Sequence, residues 1–138
     1  MDPLDVLRAH IAAFPGYDGE NNQRLADEFV RSYLGEALAN VAGDNAQLPA
    51  DVQSRVDALL LRVGFADPKS FAAHGVAARV RPPDGGDVAV QDVATIELAD
   101  RARSVAPDAL GGLLDEVTQT LDRREAAMRA AAAPAQAS

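Results

Sequence analysis

The fold class is indicated most clearly by the segment DALGGLLDEVTQTLDRREAAMRAAA, residues 108–132. Its large residues return at alternating steps of four and three, which is the spacing of one face of an α-helix. Pro107, just before it, suits the first turn of a helix. The pattern predicts a long helix over 108–132 with a narrow stripe made of Leu110, Leu114, Val117, Leu121, Arg124 and Met128.

A narrow stripe can pack against one facing helix, which belongs either to the same chain or to a second copy. Arg124 interrupts this stripe with a charge, which is costly in a sealed core but can pair with an acidic residue at an interface. We therefore expect the six stripe residues to form a self-association surface. The alternative is an internal pair of antiparallel helices joined at Pro107.

Periodic apolar residues predict further helices, which are placed at 2–14, 23–42, 50–63, 68–74 and 92–105. Asp2 is the expected N-cap of the first helix, with Pro3 in its first turn. The helix over 23–42 has an apolar arc covering nearly half its circumference, which implies contact with more than one neighbour. Its charged pairs Arg24–Glu28 and Asp27–Arg31 are spaced i,i+4, and we expect them on its solvent face.

Residues 76–91 are ambiguous. Two short alternating runs flank a Pro-Pro-Asp-Gly-Gly turn, which favours a β-hairpin, with a linker as the alternative. The last residues, 134–138, are expected to be a disordered tail. The fold prediction is thus one all-α domain over 1–133, a bundle of five or six helices, with the hairpin left open.

Composition excludes several classes of site. The chain of 138 residues has no cysteine, so it has neither disulfides nor thiolate zinc ligands. It has two histidines, His10 and His74, at no metal-ligand spacing, and we predict no metal and no cofactor. A net charge of −8 argues against nucleic-acid binding. No signal peptide or membrane-spanning run is visible, so a cytoplasmic protein is expected.

Catalytic motifs are equally absent from the sequence. It contains no Gly-x-Ser-x-Gly. The two glycine-rich loops, at 16–19 and 85–86, match no phosphate-binding pattern. We assign no catalytic residues, so an enzyme is the less favoured reading. Tyr17, between Gly16 and Asp18, is the most distinctive loop residue, either a lid on the core or a contact for a partner.

These observations predict a non-enzymatic helical protein that acts through protein–protein contact. We expect either a homodimer or another homo-oligomer, or a complex with a different protein. The alternative is a small-molecule-binding or regulatory helical domain with a pocket between the first two helices.

Overall fold

The computed structural model of the chain describes residues 2–44, 48–64 and 85–132. Its five α-helices are α1 Pro3–His10, α2 Glu20–Asp44, α3 Ala50–Gly64, α4 Gly86–Ala102 and α5 Leu110–Ala132. A 3₁₀ turn, Pro107–Ala109, leads into α5. Helix accounts for 84% of the described residues and none of them lies in a strand, so the all-α prediction is confirmed for this part of the chain.

The first helix begins as predicted and ends early. Asp2 Oδ1 accepts a hydrogen bond from the backbone N–H of Asp5 at 3.0 Å. The helix stops at His10 rather than at Phe14, because Ile11 is extended with φ −127°. The turn that follows brings Phe14 and Tyr17 into the core. Burial of these two rings replaces the last turn of the predicted helix.

The start of α4 corrects the hairpin prediction. α4 begins at Gly86 rather than near Asp92, so residues 88–91, the second arm of the predicted hairpin, form its first turns. Val88 and Ala89 are buried in one apolar cluster with Tyr17, and this packing outweighs the strand preference of an alternating sequence. The first arm of the hairpin, the helix predicted over 68–74 and the tail 134–138 lie outside the described residues.

Ion pairs show how α5 runs relative to its neighbours. They are Arg55–Asp115 and Arg62–Asp122 between α3 and α5, and Arg101–Glu116 and Arg124–Asp92 between α4 and α5. The pairing order is the same along α3 and α5 and reversed along α4 and α5. Therefore α5 runs parallel to α3 and antiparallel to α4.

Two apolar clusters fill the interior. One joins α3 to the later turns of α2 and α4 and to the stretch of α5 from Leu110 to Leu121. The other joins α1 and the loop after it to the earlier turns of α2 and α4, and includes Met128 of α5. Arg124 lies on α5 at the passage from one cluster to the other. No described helix is long and apolar enough to cross a membrane.

The α5 stripe is therefore covered by the chain itself, which corrects the expectation of an exposed self-association surface. Its six residues are between 0% and 7% exposed. The physical reason is that α5 has two facing helices, α3 and α4, rather than one. Leu113, outside the predicted stripe, is also buried, so the apolar face is wider than the heptad spacing suggested. This arrangement corresponds to the internal alternative.

Candidate functional site

The most unusual feature of the interior is a chain of charged and polar side chains around Arg124. Arg124 Nε donates to Asp92 Oδ1 at 2.5 Å, and its Nη2 donates to Asp27 Oδ1 at 2.7 Å. The other oxygen of Asp92 accepts from the Tyr17 hydroxyl. The other oxygen of Asp27 accepts from Arg31 Nε at 2.8 Å. We call these five residues the Arg124 network.

The Arg124 network connects most of the fold. Tyr17 lies in the loop before α2, Asp92 on α4 and Arg124 on α5, while Asp27 and Arg31 are one turn apart on α2. Arg31 Nη1 also donates to the backbone carbonyl of Val63, which lies in the last turn of α3, at 3.1 Å. Two arginines balance two aspartates, so the network has no net formal charge. That balance lets these charges be buried, since an unpaired buried ion is strongly unfavourable.

Burial and pairing change the ionisation of the network. Burial raises the pKa of Asp92, and Arg124 opposes that rise. Burial also raises the pKa of Tyr17 far above its ordinary value, and the neighbouring carboxylate of Asp92 raises it further. Burial alone would lower the pKa of Arg124, but Asp92 and Asp27 outweigh it and raise the pKa. Tyr17 therefore remains a neutral donor and Arg124 a cation.

The geometry assigns the Arg124 network a structural role. Tyr17, Asp27, Asp92 and Arg124 are each at most 5% exposed, and their side chains bond to one another and, from Asp27, to Arg31. A group that acts on a substrate must reach it, and these four are covered by the chain. The sequence left two interpretations of Tyr17, a lid on the core and a contact for a partner. Its burial corresponds to the lid, and its hydroxyl faces the core.

A second cluster lies where α1 meets α2 and α4. Asp100 Oδ1 accepts from the Tyr33 hydroxyl at 2.5 Å, and Asp100 Oδ2 lies 2.9 Å from His10 Nε2. His10 Nδ1 lies 2.9 Å from the backbone carbonyl of Val6, so both ring nitrogens face an oxygen of the chain. Arg103 lies over the Tyr33 ring, 5.1 Å from its centre. Within the described residues, no three His, Asp or Glu side chains are grouped as metal ligands would be.

The surface of the described residues includes two open depressions that bear on function. The first, which we call the α2–α3 groove, has a volume of about 360 Å³ and is lined by Arg31, Ser32, Gly35, Glu36, Ala39, Leu60 and Val63. The second lies between α4 and α5, has a volume of about 240 Å³ and is lined mainly by polar residues, Glu97, Arg101, Glu116, Gln119, Thr120 and Arg123, with Ala94 and Leu98. Neither lies between α1 and α2, where the alternative function places a pocket.

Sequence reasoning missed the Arg124 network because it placed two aspartates wrongly. Asp27 was assigned to the solvent face of α2, yet it is 5% exposed. A signal for its burial exists, because Gln23, Asp27, Val30 and Leu34 recur at steps of four, three and four, on one helix face. The sequence predicts Asp92 at the start of a helix, where an acid is ordinary. For Arg124, the sequence correctly predicts an acidic partner. It wrongly predicts that the pair lies at an interface, because both aspartates are in the interior.

Comparison with known proteins gave no match to a family model, to a curated protein or to a solved structure. The case for a function therefore rests on the described residues alone.

Proposed function

We propose that this protein is a non-enzymatic helical protein that acts through protein–protein contact, and that it makes this contact with the face formed by α2 and α3. The observation that carries the proposal is the contrast between interior and surface. The charged groups of the interior are bonded to one another. The larger of the two depressions is an open groove with an apolar floor on the α2–α3 face.

Leu61 supports the choice of face. It is 61% exposed on α3, and its neighbour Leu60 lines the groove. A single exposed leucine is ordinary on a protein surface. Because it follows Leu60 in the chain, it adds exposed apolar area to α3, and burial of apolar area is the main favourable term in protein association.

Site-specific photocrosslinking in the cells that make the protein tests this proposal. A photoreactive amino acid replaces Leu61 in one version and Val90 in the matched control. Val90 is 50% exposed on α4, a helix that does not contact α3. We expect a discrete protein adduct at position 61 and none at position 90, with the captured protein identified by mass spectrometry and its binding reproduced with purified components.

Equal crosslinking at both positions, or none at either, would contradict the proposal. Native mass spectrometry of the purified protein tests the alternative function, a small-molecule-binding or regulatory domain. A retained small molecule, together with no adduct at position 61, would favour a ligand-binding domain.

A further inference from the structure

The rim of the α2–α3 groove is acidic. Glu36 lines the groove, and Glu28 shares a face of α2 with the lining residues, because positions 28, 32, 35 and 39 recur at steps of four and three. Asp57 precedes Leu60 and Leu61 by one turn of α3. All three carboxylates are exposed, and none forms an ion pair within the described part of the chain.

The basic groups near this face are already neutralised. Arg31, the basic residue among those lining the groove, directs its guanidinium to Asp27 and to the carbonyl of Val63. Arg62, elsewhere on α3, pairs with Asp122 at 2.8 Å and with Glu125 at 3.0 Å. Among residues 2–44, 48–64 and 85–132, the charge left uncompensated around the groove is therefore negative.

The floor of the groove offers small side chains on one side and apolar side chains on the other. On the α2 side it is made by Gly35 and Ala39, so a partner can approach the α2 backbone closely. On the α3 side it is made by Leu60 and Val63, which offer apolar contact. An apolar channel with a charged rim matches the two faces of an amphipathic helix.

We propose, resting on the function proposed above, that the α2–α3 groove binds a basic amphipathic helix of another protein. The apolar face of that helix packs on the floor, and its lysines or arginines meet Glu28, Glu36 and Asp57. A second copy of this chain is a poor occupant, because its net charge is −8 and an identical rim would bring like charges together.

Two labelled model helices of about 14 residues, or about four turns, serve as probes. Both have leucine on one face, and the polar face has lysine in one and glutamate in the other. Fluorescence anisotropy measures their binding to the wild type, to Glu36→Lys and to Ala39→Gln, which places a longer neutral side chain in the groove. The matched controls are Glu97→Lys and Ala58→Gln. Glu97 is an exposed glutamate on α4 with no ion pair to another described residue, and Ala58 is an exposed alanine on α3 outside the groove lining.

We expect the lysine helix to bind the wild type, and the binding to weaken by about tenfold in Glu36→Lys and in Ala39→Gln. The two controls should stay within about twofold of the wild type, and added salt should weaken binding. Equal weakening by Glu97→Lys would show unspecific charge attraction and overturn the proposal, as would no binding of the lysine helix.

Two outcomes separate this inference from the proposed function. Binding of the glutamate helix that is lost in Ala39→Gln would leave the groove as a docking face, and would contradict the charge assigned to the partner. Insensitivity of all binding to Ala39→Gln would overturn helix docking in the groove, while crosslinking at position 61 would still decide whether the α2–α3 face meets another protein.

Discussion

Arg124 is a charge placed in the middle of an apolar stripe, and its two aspartates explain how it can be there. A guanidinium offers several N–H donors in a fixed plane, so one side chain can bind two carboxylates from different helices. Here it binds Asp92 of α4 and Asp27 of α2. Removing the cation leaves both carboxylates buried without their main partner.

We therefore expect Arg124→Ala to lower the free energy of unfolding by about 3–5 kcal/mol, the cost of breaking a buried ion pair. Arg123→Ala is the matched control, because Arg123 is exposed and, among the residues that the structure describes, its side chain bonds only to Gln119. It should change stability by less than about 0.5 kcal/mol. Urea denaturation measures both. A loss below about 1 kcal/mol in Arg124→Ala would show that the Arg124 network does not hold the fold.

The two tyrosines predict an alkaline limit to stability. Burial and Asp92 raise the pKa of Tyr17, and burial with the hydrogen bond to Asp100 raises that of Tyr33. A phenol whose pKa is higher in the folded than in the unfolded state contributes stability that is complete below the unfolded value of about 10. That contribution is lost as the pH rises above about 10, because the unfolded chain then releases the proton and the folded chain does not.

Absorbance of tyrosinate, followed together with helical circular dichroism during alkaline titration, tests this. The chain has two tyrosines and one lysine, so few other groups titrate there. We expect tyrosinate to appear only as the helices unfold, and Tyr17→Phe to show a weaker pH dependence of stability. Ionisation of both tyrosines at about pH 10 in a folded protein would contradict the burial of Tyr17.

Among the helices, α4 shows where local sequence signals are overridden by packing. Gly85 precedes it with φ +93°, a conformation that glycine adopts readily. A Cβ on Gly85 would lie 2.5 Å from Tyr17 Cδ2, so the ring of Tyr17 covers this residue closely. The start of α4 thus depends on a contact with Tyr17, 68 positions earlier by residue number, which no local pattern at 85–91 could indicate.

Gly85→Ala should therefore cost on the order of 1–3 kcal/mol through backbone strain and overlap with Tyr17. Gly112→Ala is its opposite: Gly112 lies in α5, and a Cβ there meets nothing within 4 Å. That change should raise stability by about 0.5–1 kcal/mol through helix propensity. Thermal unfolding compares the two variants. A gain in stability in Gly85→Ala would show that Tyr17 does not lie against Gly85.

Long periodic segments were the predictable part of the fold. The helix over 50–63 matches α3 to within one residue, and the helix over 108–132 matches the 3₁₀ turn with α5. The hairpin over 76–91, which the sequence left open beside a linker, is contradicted at 88–91, where the residues form the first turns of α4. A short alternating run does not determine which structure buries it. Pairings between distant residues, such as Asp27 with Arg124, could not be read from spacing on one helix.

In the described chain, the apolar stripe of α5 is buried against other helices of the same chain. The α5 stripe, which sequence alone left open between an interface and a core, lies between α3 and α4. The groove of α2 and α3 is an open face of the described residues with an apolar floor. The proposed function depends on the α5 stripe being internal and the α2–α3 groove being open. If the α5 stripe served self-association, the contact surface would lie on α5.

The double variant Leu114→Glu, Leu121→Glu tests whether the α5 stripe is internal. Circular dichroism and sedimentation velocity are measured on the same sample. Each side chain is at most 6% exposed, so two buried carboxylates should unfold the chain. Leu61→Glu is the control; it should stay folded, because Leu61 is 61% exposed. We predict loss of the helical signal in the double variant alone. If the double variant stays helical and sediments as a monomer while the wild type sediments as a dimer, the α5 stripe is an interface between copies and not internal core.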